Sequence, residues 1–83
     1  MYKARISVTL KPSILDPRGK ASHGALKNLG FHTIQDVRMG KIIDLDIQAD
    51  NEEAAKEMAS HAARKLLANE VMEDFHVDIV GVS

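Results

Sequence analysis

"YKARISVTL", residues 2–10, alternates without a fault. Tyr2, Ala4, Ile6, Val8 and Leu10 share one parity, and Lys3, Arg5, Ser7 and Thr9 share the other. A period of two predicts a strand with one buried and one wet face. The wet face carries Lys3 and Arg5, and these cations select the neighbours. Two later stretches alternate in the same way with acids outside. In one, Ile43, Leu45, Ile47 and Ala49 point in while Asp44, Asp46 and Gln48 point out. In the other, Phe75, Val77 and Ile79 alternate with Asp74, His76 and Asp78. Placing the first strand between these two sets opposite charges across both pairings, which favours that order.

The remaining elements follow from period and punctuation. Residues 15–30, "LDPRGKASHGALKNLG", switch to helical spacing. Asp16 is a cap, Pro17 suits the first helical position, and Gly30 is a left-handed stop. Ala21, Ala25, Leu26 and Leu29 form a narrow apolar stripe, and Gly24 within it suits close backbone packing. Residues 31–39 read as an irregular strand, because Phe31, Val37 and Met39 share a parity that Ile34 breaks. Gly40 is the corner into the next strand. Asp50 with Glu53 resembles a capping box, and Ala55, Met58, Ala59, Ala62 and Leu66 give a second helical stripe closing near Asn69. The order is therefore β-α-β-β-α-β. It predicts an α+β two-layer sandwich of the ferredoxin-like kind, a four-stranded antiparallel sheet in the order 4-1-3-2 with two helices on one face.

Eighty-three residues make a single domain spanning 1–83, near the small end of what folds unaided. There are no cysteines, so neither a disulfide nor a thiolate zinc site can support a thin core. Self-association is the expected support. No leader or membrane-length apolar run is present, which points to the cytoplasm. The net charge is −1, yet residues 1–41 carry eight cations against two acids and residues 42–83 carry three cations against ten acids. That split reads as cohesion within the fold.

The residue inventory argues against chemistry in this chain. No serine lies in a nucleophile elbow, and Ser22 and His23 point in different directions on one helix. His23, His32, His61 and His76 lack the i, i+4 spacing of a helical metal pair. "DVRMGK", residues 36–41, places a glycine between two cations like a phosphate cradle. It lacks the first glycine of a Walker loop, however, and leads into a strand, so no helix N-terminus receives a phosphate. The wet faces of the central strands carry charges where RNA recognition needs aromatics, which argues against nucleic acid.

Three blocks, "VTLKPSILDPRGKASHGALKNLGF", "VRMGKIIDLDI" and "KLLANEVMEDF", together resemble the PurS family, the small subunit of phosphoribosylformylglycinamidine synthase. The resemblance implies a non-catalytic subunit of a purine-biosynthesis complex. In it a glutaminase (PurQ) releases ammonia, and an ATP- and magnesium-dependent synthetase (PurL) uses it to convert formylglycinamide ribonucleotide to the amidine. It implies a dimer or tetramer that bridges the two larger subunits and helps ammonia pass, with no cofactor of its own. The matching motifs offer Lys11, Asp16, Arg18, Arg38, Gly40 and Lys41 as partner contacts, with Gly40 at a positive φ. The alternative is a regulatory dimer of the same topology that senses a small molecule at a site formed by the loop after the first strand and the first helix, with which Asp16 and Gly19 are compatible.

Overall fold

The computed structural model describes residues 1–82. Three strands form one antiparallel sheet in the order β2-β1-β3: β1 is Tyr2–Leu10, β2 is Gly40–Ile47 and β3 is Glu73–Val82. The alternating strand 2–10 is central, between the two acidic strands, as its charges require. Arg5 stands opposite Asp44 on one side and Asp78 on the other, and Lys3 stands opposite Asp46. The Arg5 guanidinium donates to both Asp44 oxygens, at 2.9 and 3.3 Å. That pairing raises the pKa of Arg5 and lowers that of Asp44. Arg5→Glu is expected to lower the melting temperature by roughly 5 °C at low ionic strength, and by less in high salt, where exposed charges are screened. Equal melting curves for the two proteins at low salt would remove this account of strand order.

Helix α1, Pro17–Asn28, begins at the Asp16 cap with proline at its start, and Gly30 follows at φ 97°. Helix α2, Glu52–Ala62, is capped by Asn51, whose side chain accepts from the Ala54 N–H at 2.8 Å. The cap lies one residue beyond Asp50 and leaves Glu52 and Glu53 in the first turn, where carboxylates suit the helix dipole. The chain then widens into a π turn, Ala63–Leu67. The buried stripe is Ala55, Ala59 and Ala63, while Met58 is exposed and Leu66 is 84% exposed. Spacing by four, carried through the π turn, rotates the contact face away from the predicted one.

Two expectations are corrected. Residues 31–39 form no strand, so the sheet has three strands and not four. Several of their polar backbone groups are met by side chains: Asp16 accepts from the Met39 N–H, Asp36 from the Val37 N–H, and His23 bonds the Ile34 carbonyl. The helices also do not share one face. α2 packs on all three strands, and no comparable packing joins α1 to any of them. Leu29 is 74% exposed, so the α1 stripe covers nothing, and an added Cβ at Gly24 would meet open space. Residues 11–39 thus form an arm projecting from the sheet. The radius of gyration is 16.1 Å, and the extents are 50 × 27 × 14 Å. A compact domain of this length would have a radius of roughly 12 Å.

Candidate functional site

The arm meets the sheet at a neck, and five of the six predicted contact residues gather there. Asp16, Arg18, Gly40 and Lys41 line one cavity of about 290 Å³, with Glu73 among its other walls. Arg38 lines a neighbouring cleft with Thr9, Leu10, Pro12 and Asp36. Lys11 lies round the edge, its Nζ 3.2 Å from Asp74.

Asp16 holds the neck together. Its carboxylate is 4% exposed and accepts two backbone N–H bonds, from Gly19 at 2.9 Å and from Met39 at 2.6 Å. The first caps α1; the second ties the helix start to the strand leading into β2. These two bonds hold its pKa below the ordinary 3.8, helped by the charges of Arg38 and Arg18 against the opposing effect of burial. Gly19 leaves room for this closure, because an added Cβ would meet the Val37 carbonyl oxygen and the Asp16 carboxylate.

Arg38 completes the clasp from the other side. Its guanidinium donates to the carbonyls of Lys11 and Ile14, both at 2.9 Å. The predicted docking charge is therefore engaged within its own chain, where it braces the loop between β1 and α1. Gly40 is corrected as well. It opens β2 opposite Thr9 and turns no corner, and Gly30 is the only glycine with positive φ among the described residues. Glycine is needed at position 40 for space: an added Cβ would lie 2.7 Å from the Val8 carbonyl oxygen and 2.9 Å from a Thr9 carbon. Arg18 and Lys41 are exposed and, among the described residues, form no salt bridge.

Sequence reasoning missed the second role of Asp16 and the bond from His23 Nε2 to the Ile34 carbonyl at 2.8 Å. The first had a partial signal, since an aspartate cap before proline was legible. The reach from residue 16 to residue 39 had none. Among the described residues no three histidine, cysteine or acidic side chains stand close enough to hold a metal, and no helix is long and apolar enough to cross a membrane.

Comparison with known families decides the assignment. The family model of PurS, described as phosphoribosylformylglycinamidine (FGAM) synthase, matches residues 3–81. The chain belongs to the PurS family. The phosphoribosylformylglycinamidine synthase subunit PurS of Methanocaldococcus jannaschii is 38% identical over 79 residues, covering 95% of each chain. That of Bacillus subtilis is 40% identical, covering 95% of this chain and 93% of the relative. The crystal structure of M. jannaschii PurS superposes with a TM-score of 0.88 at 37% identity over the whole of both chains. A chain from the structure of PurLQS from Thermotoga maritima superposes with a TM-score of 0.87 at 32% identity, covering 95% of this chain and 96% of that one. The projecting arm is thus part of a shape shared with solved PurS structures. Membership in this family makes purine biosynthesis, as a subunit of FGAM synthase, the function of the chain.

Proposed function

We propose that the chain is a non-catalytic subunit that bridges the glutaminase (PurQ) and the ATP-dependent synthetase (PurL) and assists ammonia transfer between them. The observation that supports this most is the near full-length likeness to a chain of the T. maritima PurLQS structure. ATP and magnesium would then be used by the larger subunit, with no cofactor in this chain. The complex would work in the cytoplasm, without nucleic acid or membrane. Arg18 and Lys41, beside the neck cavity, would make charge-assisted contacts with partner loops. Lys11, Asp16, Arg38 and Gly40 would act at one remove, by fixing the arm that presents those cations.

Self-association, as a dimer or a pair of dimers, belongs to the same reading. Leu15, Leu29, Phe31, Leu66 and Val82 are all more than half exposed. Both outer strands of the sheet are free edges, which a lone chain presents as templates for pairing. The alternative of a small-molecule sensor finds little support in the neck, where both Asp16 oxygens already accept backbone N–H bonds.

Reconstitution tests the proposal. The two larger subunits, formylglycinamide ribonucleotide, ATP, magnesium and either glutamine or ammonia are assayed with and without this chain. Without it, glutamine-dependent amidine formation is expected to fall by roughly 100-fold, the scale of advantage that held partners gain from effective concentration. Ammonia-dependent formation is expected to persist. Undiminished glutamine-dependent turnover in its absence would overturn the bridging role.

A further inference from the structure

Two charges of opposite sign occupy core-facing positions at one end of the sheet. Lys41 stands opposite Val8 and Glu73 opposite Leu10, so both share the inward parity of their strands, with Ile43 and Phe75 next in line. Inward positions of a sheet are ordinarily apolar, and a charge there needs access to water or a partner. The register sets Lys41 and Glu73 diagonally across β1, two strand spacings sideways and two residues along. That places their Cα atoms about 12 Å apart.

Both residues line the neck cavity of about 290 Å³, and Arg18 lines it from the start of α1. Among the described residues, no ion pair joins Glu73 to Lys41 or to Arg18. One oxygen of Glu73 accepts from the Asn69 N–H at 2.8 Å, which leaves the second for another donor. Asp16, the other carboxylate in the wall, is already spent on two backbone N–H groups. The cavity therefore offers two cations and one carboxylate oxygen over an apolar floor of Val8 and Leu10. A simple anion would suit the cations and be repelled by Glu73, and a simple cation would meet the reverse difficulty. A zwitterion suits both.

We propose that the neck cavity binds a free α-amino acid with an aliphatic side chain, of which leucine is the model. Arg18 and Lys41 take its carboxylate, the second oxygen of Glu73 takes its ammonium, and its side chain rests on Val8 and Leu10. A small hollow with apolar walls and a few convergent polar groups is the ordinary form of a ligand site. Asp16 shapes the wall and touches no ligand. The inference does not depend on the bridging role. A partner loop reaching Arg18 and Lys41 would compete for the same hollow, so binding is read on the free chain.

Titration of the full chain with leucine, followed through its backbone amide resonances, is expected to move Arg18, Gly40, Lys41 and Glu73 saturably, with a Kd of roughly 1 mM or tighter. Isocaproate lacks the ammonium and isoamylamine lacks the carboxylate, and each is expected to bind at least about tenfold more weakly. Glu73→Gln keeps an acceptor for the Asn69 N–H. It should weaken leucine about tenfold without weakening isocaproate. Lys41→Met should weaken leucine and isocaproate alike and spare isoamylamine, and Arg18→Gln repeats that test should Lys41→Met fold poorly. No saturable movement at the neck by about 10 mM leucine, ten times the expected constant, would overturn the proposal. Isocaproate binding as tightly as leucine would overturn it too, by making the hollow a plain anion site. A folded Glu73→Gln that binds leucine undiminished would do the same.

Discussion

Ile6→Ala is expected to lower the stability of the chain by about 2–5 kcal/mol, the range for emptying a large aliphatic site in a packed core. The readout is the urea midpoint at fixed chain concentration, because association would otherwise shift the apparent stability. Ile6 lies in the middle of the central strand at 0% exposure, and it and Val8 are the largest fully buried side chains. The rest of the buried core is mostly alanine: Ala4, Ala55, Ala59 and Ala63. The buried alanines have no length to swing into a vacated site, so filling it falls to half-buried neighbours such as Ile43, opposite Ile6 in the sheet. A domain of this size has roughly 4–12 kcal/mol in total. Lys56→Ala on the exposed side of α2 is the control, with an expected change within about 0.5 kcal/mol. A loss at position 6 no larger than the control's would mean that the core is elsewhere.

The small core also explains which parts of the fold were legible in the sequence. β1, β2 and β3 alternate with period two and carry opposite charges on their wet faces, and both signals are local enough to read. The cap at Asp16, the stop at Gly30 and the central place of residues 2–10 follow from the same local rules. What local rules could not give is where α1 goes. Its stripe predicts burial, but the structure leaves it exposed because the clasp at the neck fixes its direction. That clasp joins residues 11, 14, 16, 19, 38 and 39, which are distant in sequence and carry no shared pattern.

The candidate site shows the same division. Motif likeness picked out residues that do gather at the neck, and the structure gives two of them tasks within the chain that the motifs did not signal. Arg38 looked like a projecting charge, and its guanidinium instead caps two loop carbonyls. Gly40 looked like a turn, and its lack of a side chain instead admits the Val8 carbonyl. In both cases the residue type was informative and the direction was set by backbone elsewhere. The conspicuous residues of the neck hold the arm in place.

Asp16→Ala is expected to loosen that arm and to lower the melting temperature by roughly 5–15 °C, combining loss of a helix cap with loss of the Met39 tie. Asp16→Asn is expected to fall nearly as far. The amide has one acceptor oxygen for two N–H donors, and its own N–H₂ would face one of them. The pH dependence separates the carboxylate's contribution from packing. The folded-state pKa of Asp16 lies below its ordinary value of 3.8. Its stabilisation is therefore fully present above that value and is lost as pH falls through the lowered one, where the folded chain is forced to take up a proton. Asp44, also lowered, acts in the same direction through Arg5. The melting temperature of the unaltered chain should thus hold level from neutral pH to about pH 5 and then decline. Asp16→Ala should start lower and decline less steeply, keeping only the part due to Asp44 and other acids. Parallel acid curves for the two proteins would show that the buried carboxylate does not hold the neck. Fluorescence transfer between dyes on Lys27→Cys and Asp46→Cys, in a chain diluted with excess unlabelled copies, should then report one distance in the unaltered background and a broad spread with Asp16→Ala. An unchanged narrow distribution would leave Arg38 and His23 as sufficient to fix the arm.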